Sequence, residues 1–486
     1  MTFNTSSTSD PLFVSSIIPL VAFATFVAAQ YLIRHRWNTS ESNKHPRNVP
    51  PMLNTGILET IKACSSHRTP WFILDGAKSC GSVYRLNLPI PATPMMVAVS
   101  DANLARDILC DPLTTKPKQI YGGLDDVTGG TKAMFTCEGK AWHSRRKGLA
   151  PAFSSKHIRR MNEAAKDKTE HWIQTKLVPM VEKGEAFDVG KEMIGITLDA
   201  IAETAFEYTM SEDEKSMFLH ELELSLREFA ERSFANPFRW LVGLLIPERR
   251  RAFIAGKRLQ ALGLTILQHY RRQVNPTKGT IIDLVVNNDA YRNDEERAAE
   301  ILLMLIAGHD TTGYTMAWIL KELAKNPKDQ RRLRDTLRAS DSNEWSKSKY
   351  LRKTVKEGIR LHPVSARGPF RKIGRDFETE DGYLLPKNSI ICAAVLTMMR
   401  DEDVYENAEA FNPSRWDNPT KAMNDAYSPF AMGKQDCIGQ SLANAELHSI
   451  IPRIVSEFEL FLVEEGTVDF FLTLKPVNTM LRARKI

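Results

Sequence analysis

Two stretches of the sequence combine residue types and spacings that could do chemistry. Phe430 to Gly439 reads Phe-Ala-Met-Gly-Lys-Gln-Asp-Cys-Ile-Gly and runs straight into a helix-forming segment, Gln440 to Leu447. This sets one thiol, Cys437, at the mouth of a helix, where unpaired N–H groups and a partial positive charge favour thiolate, a metal ligand or a nucleophile. Gly433 allows a turn closed to other residues, Gly439 lets the helix start lie flat against a large planar object, and Phe430 can pack beneath that object. A buried structural cysteine is the rival reading. The second stretch is Ala307-Gly-His-Asp-Thr-Thr312. A glycine, a histidine, an aspartate and two threonines inside an apolar helix are poor helix formers and are costly to bury unless satisfied. Such local rule-breaking is expected at functional sites, the rival being a threonine-induced kink.

The second stretch sits in the longest helical pattern of the chain, Asp294 to Asn326. Acidic residues open that pattern, Lys321 and Lys325 lie near its end, and Pro327 stops it, in agreement with the helix dipole. Trp142 and Arg146 are four residues apart and so share a helix face. Glu357 and Arg360 stand at i and i+3. Val83-Tyr-Arg-Leu and Met95-Met-Val-Ala-Val are short β-prone runs, which predicts a small sheet near the start of a mostly helical body. Gly122 to Gly130 lacks the lysine and Ser/Thr spacing of a phosphate loop and reads as a mobile loop.

The chain has 486 residues, 43% hydrophobic and 26% charged, with a formal charge of +6. That charge is modest, and no arginine-rich tract with interleaved aromatics suggests nucleic-acid binding. Six scattered cysteines without a Cys-x-x-Cys pair indicate neither a disulfide framework nor a zinc site, and fit a reducing compartment. Ile17 to Ile33 is almost continuously apolar and is followed by Arg34, His35 and Arg36. With no basic residue before it, this pattern favours an uncleaved membrane anchor over a cleaved signal, with the bulk of the chain cytosolic. We divide the chain into an anchor (1–36), a Pro-rich hinge (37–51) and one catalytic domain (52–486). The apolar run Phe234 to Pro247, followed by Glu248-Arg-Arg-Arg, reads equally as a core segment or as one dipping into a membrane interface.

Phe-x-x-Gly-x-x-x-Cys-x-Gly resembles the haem-binding loop of the cytochrome P-450 superfamily, where the cysteine is the axial ligand of haem iron. Trp-x-x-x-Arg resembles that family's helix C, Ala-Gly-x-Asp-Thr the oxygen-activating groove of its helix I, and Glu-x-x-Arg its helix K. Four motifs in the required order imply a mainly α cytochrome P-450 fold, a helical domain with small β-sheets, plus an N-terminal transmembrane helix of the microsomal eukaryotic type. They also imply haem b bound by Cys437, with Trp142, Arg146 and Arg371 as propionate donors, Arg367 competing with Arg371. Gly308 would leave room for dioxygen, Thr311 would hydrogen-bond the oxygen species and Asp310 would relay protons, with His309 a neighbour pointing away. Ala307 replaces the glutamate that some relatives esterify to haem, which argues against a covalent link. Arg415, in Phe411-Asn-Pro-Ser-Arg-Trp416, would complete a structural charge network with Glu357 and Arg360.

Gln435 departs from the usual Arg or His of the cysteine loop and would donate to a propionate without charge assistance. The resemblance implies a monooxygenase acting on O2 and a lipophilic substrate (fatty acid, sterol or other isoprenoid) in the endoplasmic-reticulum membrane. An NADPH reductase would supply electrons, with cytochrome b-type help, and Arg145 and Lys147 would dock acidic partners. A reductase-independent isomerase or dehydratase and a haem sensor are the alternatives; the Asp310–Thr311 pair favours the monooxygenase.

Overall fold

A computed structural model describes residues 48–88, 93–232 and 246–486. The expected anchor and most of the Phe234–Pro247 run lie outside the described residues. Among those described, no helix is long and apolar enough to cross a membrane.

The fold is built around the helix Asp294–Lys325. Its start follows the sequence: the Asn293 side chain accepts the Glu296 N–H, Asp294, Glu295 and Glu296 fill the first turn, and Lys325 ends it. At 32 residues it is about 48 Å long and crosses the whole domain. Helices covering its apolar sides include Val189–Phe206, Pro247–Arg272, Lys349–Leu361 and Gln440–Glu457. The approach to Val189–Phe206 is close: a Cβ on Gly308 would lie 2.8 Å from Ile201, and one on Gly313 2.8 Å from the Thr197 hydroxyl. Thr197 also donates to the His309 carbonyl at 3.0 Å, stitching the two helices together at the polar turn.

Short sheets close the ends. A four-stranded sheet runs in the order Val83–Leu86, Met96–Val99, Ile390–Ala393, Phe370–Lys372, with only the central pair parallel. It brings Arg371, opposite Ile391, to the edge strand. The hairpin Thr467–Phe470 and Leu474–Val477 packs against the long helix from the C-terminal end of the chain.

Gly122 to Gly130 is not a mobile loop. Gly122–Thr128 forms a 3-10 helix that buries Leu124 and Val127, and Lys257 donates to the Gly129 carbonyl at 2.6 Å. Two apolar side chains among the glycines suffice to dock it.

Candidate functional site

Cys437 lies in a loop that folds back on itself: its N–H donates to the Phe430 carbonyl at 2.9 Å. Gly433 makes the reversal, with φ +76° and a Cβ position only 2.7 Å from the Leu109 carbonyl, so both backbone angle and close approach demand glycine. The following helix begins at Gln440 with Gly439 as its N-cap. Cys437 is exposed on the surface of the chain. Its surroundings nevertheless push it up rather than toward thiolate: desolvation is the largest effect, and the Gly439 N–H and the Arg146 guanidinium oppose it without overcoming it. The helix-mouth expectation is corrected in this respect: burial outweighs the N–H groups of Gly439 and Gln440, which do act on the thiol, and Asp436 adds a like charge beside it.

In the middle of the long helix, one stripe is open where its neighbours are covered. Leu303, Gly308, Thr311 and Tyr314 are half-buried and Ala307 is exposed, whereas Ile306, His309, Asp310 and Thr312 are buried. Spacings of three and four residues put these open positions on one face. The apolar cluster beside it joins Leu302, Leu305 and Ile306 to Trp142, Phe153 and Ile438, the last adjoining the cysteine. Thr311 turns its hydroxyl back to the Ala307 carbonyl at 2.8 Å. His309 is directed away, 5.3 Å from the Phe218 ring and with Nδ1 2.7 Å from the Leu305 carbonyl. The Cβ direction of Gly308 points at Ile201, so in this structure the glycine serves helix packing and Ala307 is the most open position on that turn.

The cations of the site divide into two groups. Arg146 is engaged by the loop itself, donating to the Asp436 carbonyl at 2.7 Å and to its carboxylate at 2.6 Å. Gln435 donates to Glu138 at 3.1 Å, so the protein already occupies its amide. Arg371 and Lys116, by contrast, are buried and form no ion pair with a carboxylate among the described residues. Arg371 donates to the Phe370 carbonyl and the Tyr121 hydroxyl, and Lys116 to the Met134 and Cys137 carbonyls. Burial pushes the Lys116 ammonium down to about 8, with the nearby Glu138 opposing and Arg371 adding to the shift. Two buried cations that make no ion pair among the described residues suit an anionic ligand. Arg367 instead stacks between the Phe370 and Phe470 rings, at 4.8 and 5.6 Å.

Behind the loop, Glu357 accepts from Arg360 at 2.9 Å through both oxygens, from Arg415 at 2.8 Å, from Trp416 at 2.9 Å and from the Asn412 N–H at 3.0 Å. Glu357 and Arg360 are fully buried. Arg145 is not available for docking a partner. It is buried, donates to Glu296 at 2.7 Å and lies 3.7 Å from Glu300, whereas Lys147 is exposed. Sequence reasoning missed Lys116, Glu138, Thr473 and Lys475; single polar residues in loops and strands carry no periodic signal, and only the contacts they make in the fold mark them.

The cytochrome P450 family model matches residues 50–484. The chain belongs to the cytochrome P450 family. Similar proteins include cytochrome P450 4d2 of Drosophila melanogaster, 25% identical over 92% of this chain and 94% of that one. Cytokinin hydroxylase of Arabidopsis thaliana is 26% identical over 88% of each chain, and cytochrome P450 4F6 of Rattus norvegicus 26% over 80% of each. A crystal structure of a cytochrome P450 (CYP102L1) superposes with TM-score 0.72 at 21% identity, covering 86% of this chain and 97% of that one, and supports the fold. P450s are haem-thiolate monooxygenases, oxidoreductases that use haem b, and this mainly helical chain with small sheets is one of them.

Proposed function

We propose that this P450 uses Cys437 as its iron ligand and inserts one oxygen atom of O2 into a lipophilic substrate, a fatty acid, sterol or other isoprenoid. The observation that carries this reading is the open stripe of the long helix at Ala307 and Thr311, with an exposed thiol in the cysteine loop and two buried cations, Arg371 and Lys116, that make no ion pair among the described residues. The residues fit haem b. Cys437 would hold the iron, Arg371 and Lys116 would pair the two propionates with Trp142 beside them, and Phe430 would support the loop. Bound haem supplies oxygen activation on the cysteine-ligated iron.

The chain's own side chains do the rest. Thr311 can swing its hydroxyl from the Ala307 carbonyl into the cleft, donating a hydrogen bond there. Asp310 holds the proton source one residue earlier. Phe471, Phe229, Leu226 and Ile306 belong to the buried apolar core beside the long helix and would give an aliphatic substrate apolar surroundings. Electrons would come from a membrane-bound NADPH reductase, with a cytochrome b-type donor assisting, and residues 1–36 would anchor the chain in the endoplasmic reticulum with residues 52–486 cytosolic. Reconstitution of the haem-loaded full chain with the reductase, NADPH and a panel of long-chain fatty acids, sterols and isoprenoids tests this reading. NADPH-dependent hydroxylated product from one class supports it; haem-loaded protein that rearranges hydroperoxides without NADPH and hydroxylates nothing contradicts it.

A further inference from the structure

The open face of the long helix is closed off toward its N-terminal end. Ala307 is exposed and Leu303 half-buried, but Glu300, which continues the same face at spacings of three and four, is fully buried. Over it lies the segment 132–137, between the docked Gly122–Thr128 helix and the helix Gly139–Leu149. The Met134 N–H donates to Glu300 Oε2 at 2.9 Å. Arg145 donates to the Lys132 carbonyl at 2.7 Å, and Lys116 to the Met134 and Cys137 carbonyls at 3.2 Å each. Among the described residues, the segment's own backbone–backbone bonds form a single turn, from the Thr136 and Cys137 N–H groups to the Ala133 carbonyl.

The segment is thus fastened to the body by charged side chains rather than by a strand or helix, with Ala133, Met134 and Cys137 buried beneath it. Its two ends are tied to other elements. Thr131 accepts from Gln260 at 3.0 Å and, through its carbonyl, from Thr128; Glu138 accepts from the Lys116 N–H at 3.0 Å and from Gln435 at 3.1 Å. Movement is left to the middle, where Glu300 sits. Burial raises the Glu300 carboxyl from 4.5 to about 7, with Arg145, the Met134 N–H, Tyr291 and Lys116 opposing. Glu296, which pairs with Arg145 and Arg292, and Cys137 are the other titratable groups facing this cluster. Lifting the segment breaks the Met134 bond and admits water to the carboxyl, returning it toward its ordinary value.

We infer that residues 132–137 are a strap across the N-terminal end of the open stripe, and that closing it takes up one proton at Glu300. The inference rests on the stripe being the substrate site, as the monooxygenase reading has it, and adds the regulation of entry to that site. The proton comes from water on closing and returns to water on opening, with nothing oxidised or reduced. Between about pH 4.5 and 7 the closed strap binds more protons than the open one. The closed form is therefore favoured most below that window and loses ground as pH rises through it. A lipophilic molecule then reaches the stripe more readily near neutral pH than in acid.

The test uses the haem-loaded full chain and its Glu300→Gln variant, which keeps an acceptor for the Met134 N–H but has no proton to titrate. Hydrogen exchange of the Met134, Thr136 and Cys137 amides is measured and corrected for the intrinsic rate at each pH. Protection should fall about tenfold from pH 5.5 to 7 in the wild type and stay level in Glu300→Gln. Amides of the helix Ala102–Cys110 should show no such slope, which separates strap opening from global unfolding. Stopped-flow binding of dodecanol, a neutral chain whose charge does not change with pH, is followed at the Soret band and should quicken by a similar factor over the same range. Level protection in the wild type overturns the inference, and does so even if Glu300→Gln fails to fold. A slope that persists in Glu300→Gln, or falling protection with an unchanged entry rate, overturns it as well. If dodecanol leaves the Soret band unmoved at every pH, the reading of the stripe as the substrate site fails and the strap's role in entry falls with it, while the exchange profile still decides the coupling to Glu300.

Discussion

Glu357 accepts five hydrogen bonds without exposure to water, and two of its partners, Arg360 and Arg415, carry full charges. Taking away the carboxylate would strand the buried Arg360, whose remaining acceptors are the carbonyls of Met399, Ala408 and Ala410. Glu357→Ala should therefore cost about 3–5 kcal/mol, read as a lower urea midpoint and loss of bound haem. Thr311 differs in kind, since its hydroxyl satisfies only a helix carbonyl and its removal leaves the helix intact. Thr311→Ala should keep Tm within a few degrees while product formed per NADPH consumed falls on the order of tenfold, the missing oxidation appearing as peroxide. An equal loss of stability and turnover would assign Thr311 to packing instead.

Between elements, the telling contact is the charge cluster where the helix Gly139–Leu149 meets the long helix. Glu300 is fully buried there, and desolvation raises its carboxyl from 4.5 to about 7 against the opposing pull of Arg145 and the Met134 N–H. The folded chain thus keeps a proton that the unfolded chain has lost between those values. Its contribution to stability is complete below about pH 4.5, declines as pH rises through 7, and amounts to about 3 kcal/mol across the window. Glu300→Gln should lack this slope, gaining stability on the wild type as pH rises from 5 to 8 in Tm measured against pH; parallel curves would place the proton elsewhere. This cluster also shows what the sequence could reveal. The long helix, its acidic start and basic end, the early β pair and the Cys437 loop were legible because periodicity, dipole and turn chemistry are local. The burial of Arg145, the pairing of Arg146 with Asp436 and the hold of Lys475 on Asp310 join residues 151, 290 and 165 positions apart, and no local rule encodes them. The docked Gly122–Thr128 helix was hidden for a related reason: glycines signalled freedom, but Leu124 and Val127 decided the outcome.

At the scale of the whole molecule, a formal charge of +6 and an exposed Lys147 leave the helix Gly139–Leu149 able to attract an acidic reductase surface, even though Arg145 has turned inward. Lys147→Glu should weaken reductase binding and flatten its salt dependence without altering Tm, as seen in titrations at several ionic strengths; unchanged binding would move the docking site elsewhere. Deleting residues 1–36 should shift the chain from the membrane pellet toward the supernatant while leaving its haem spectrum intact. The central claim is that Cys437 ligates haem iron in this fold. The carbon monoxide difference spectrum of the dithionite-reduced protein, taken beside that of Cys437→Ala, tests it most directly. The account predicts a strongly red-shifted Soret band in the wild type and none in the variant; a band typical of histidine-ligated haem in both, or the same red-shifted band in Cys437→Ala, would contradict it.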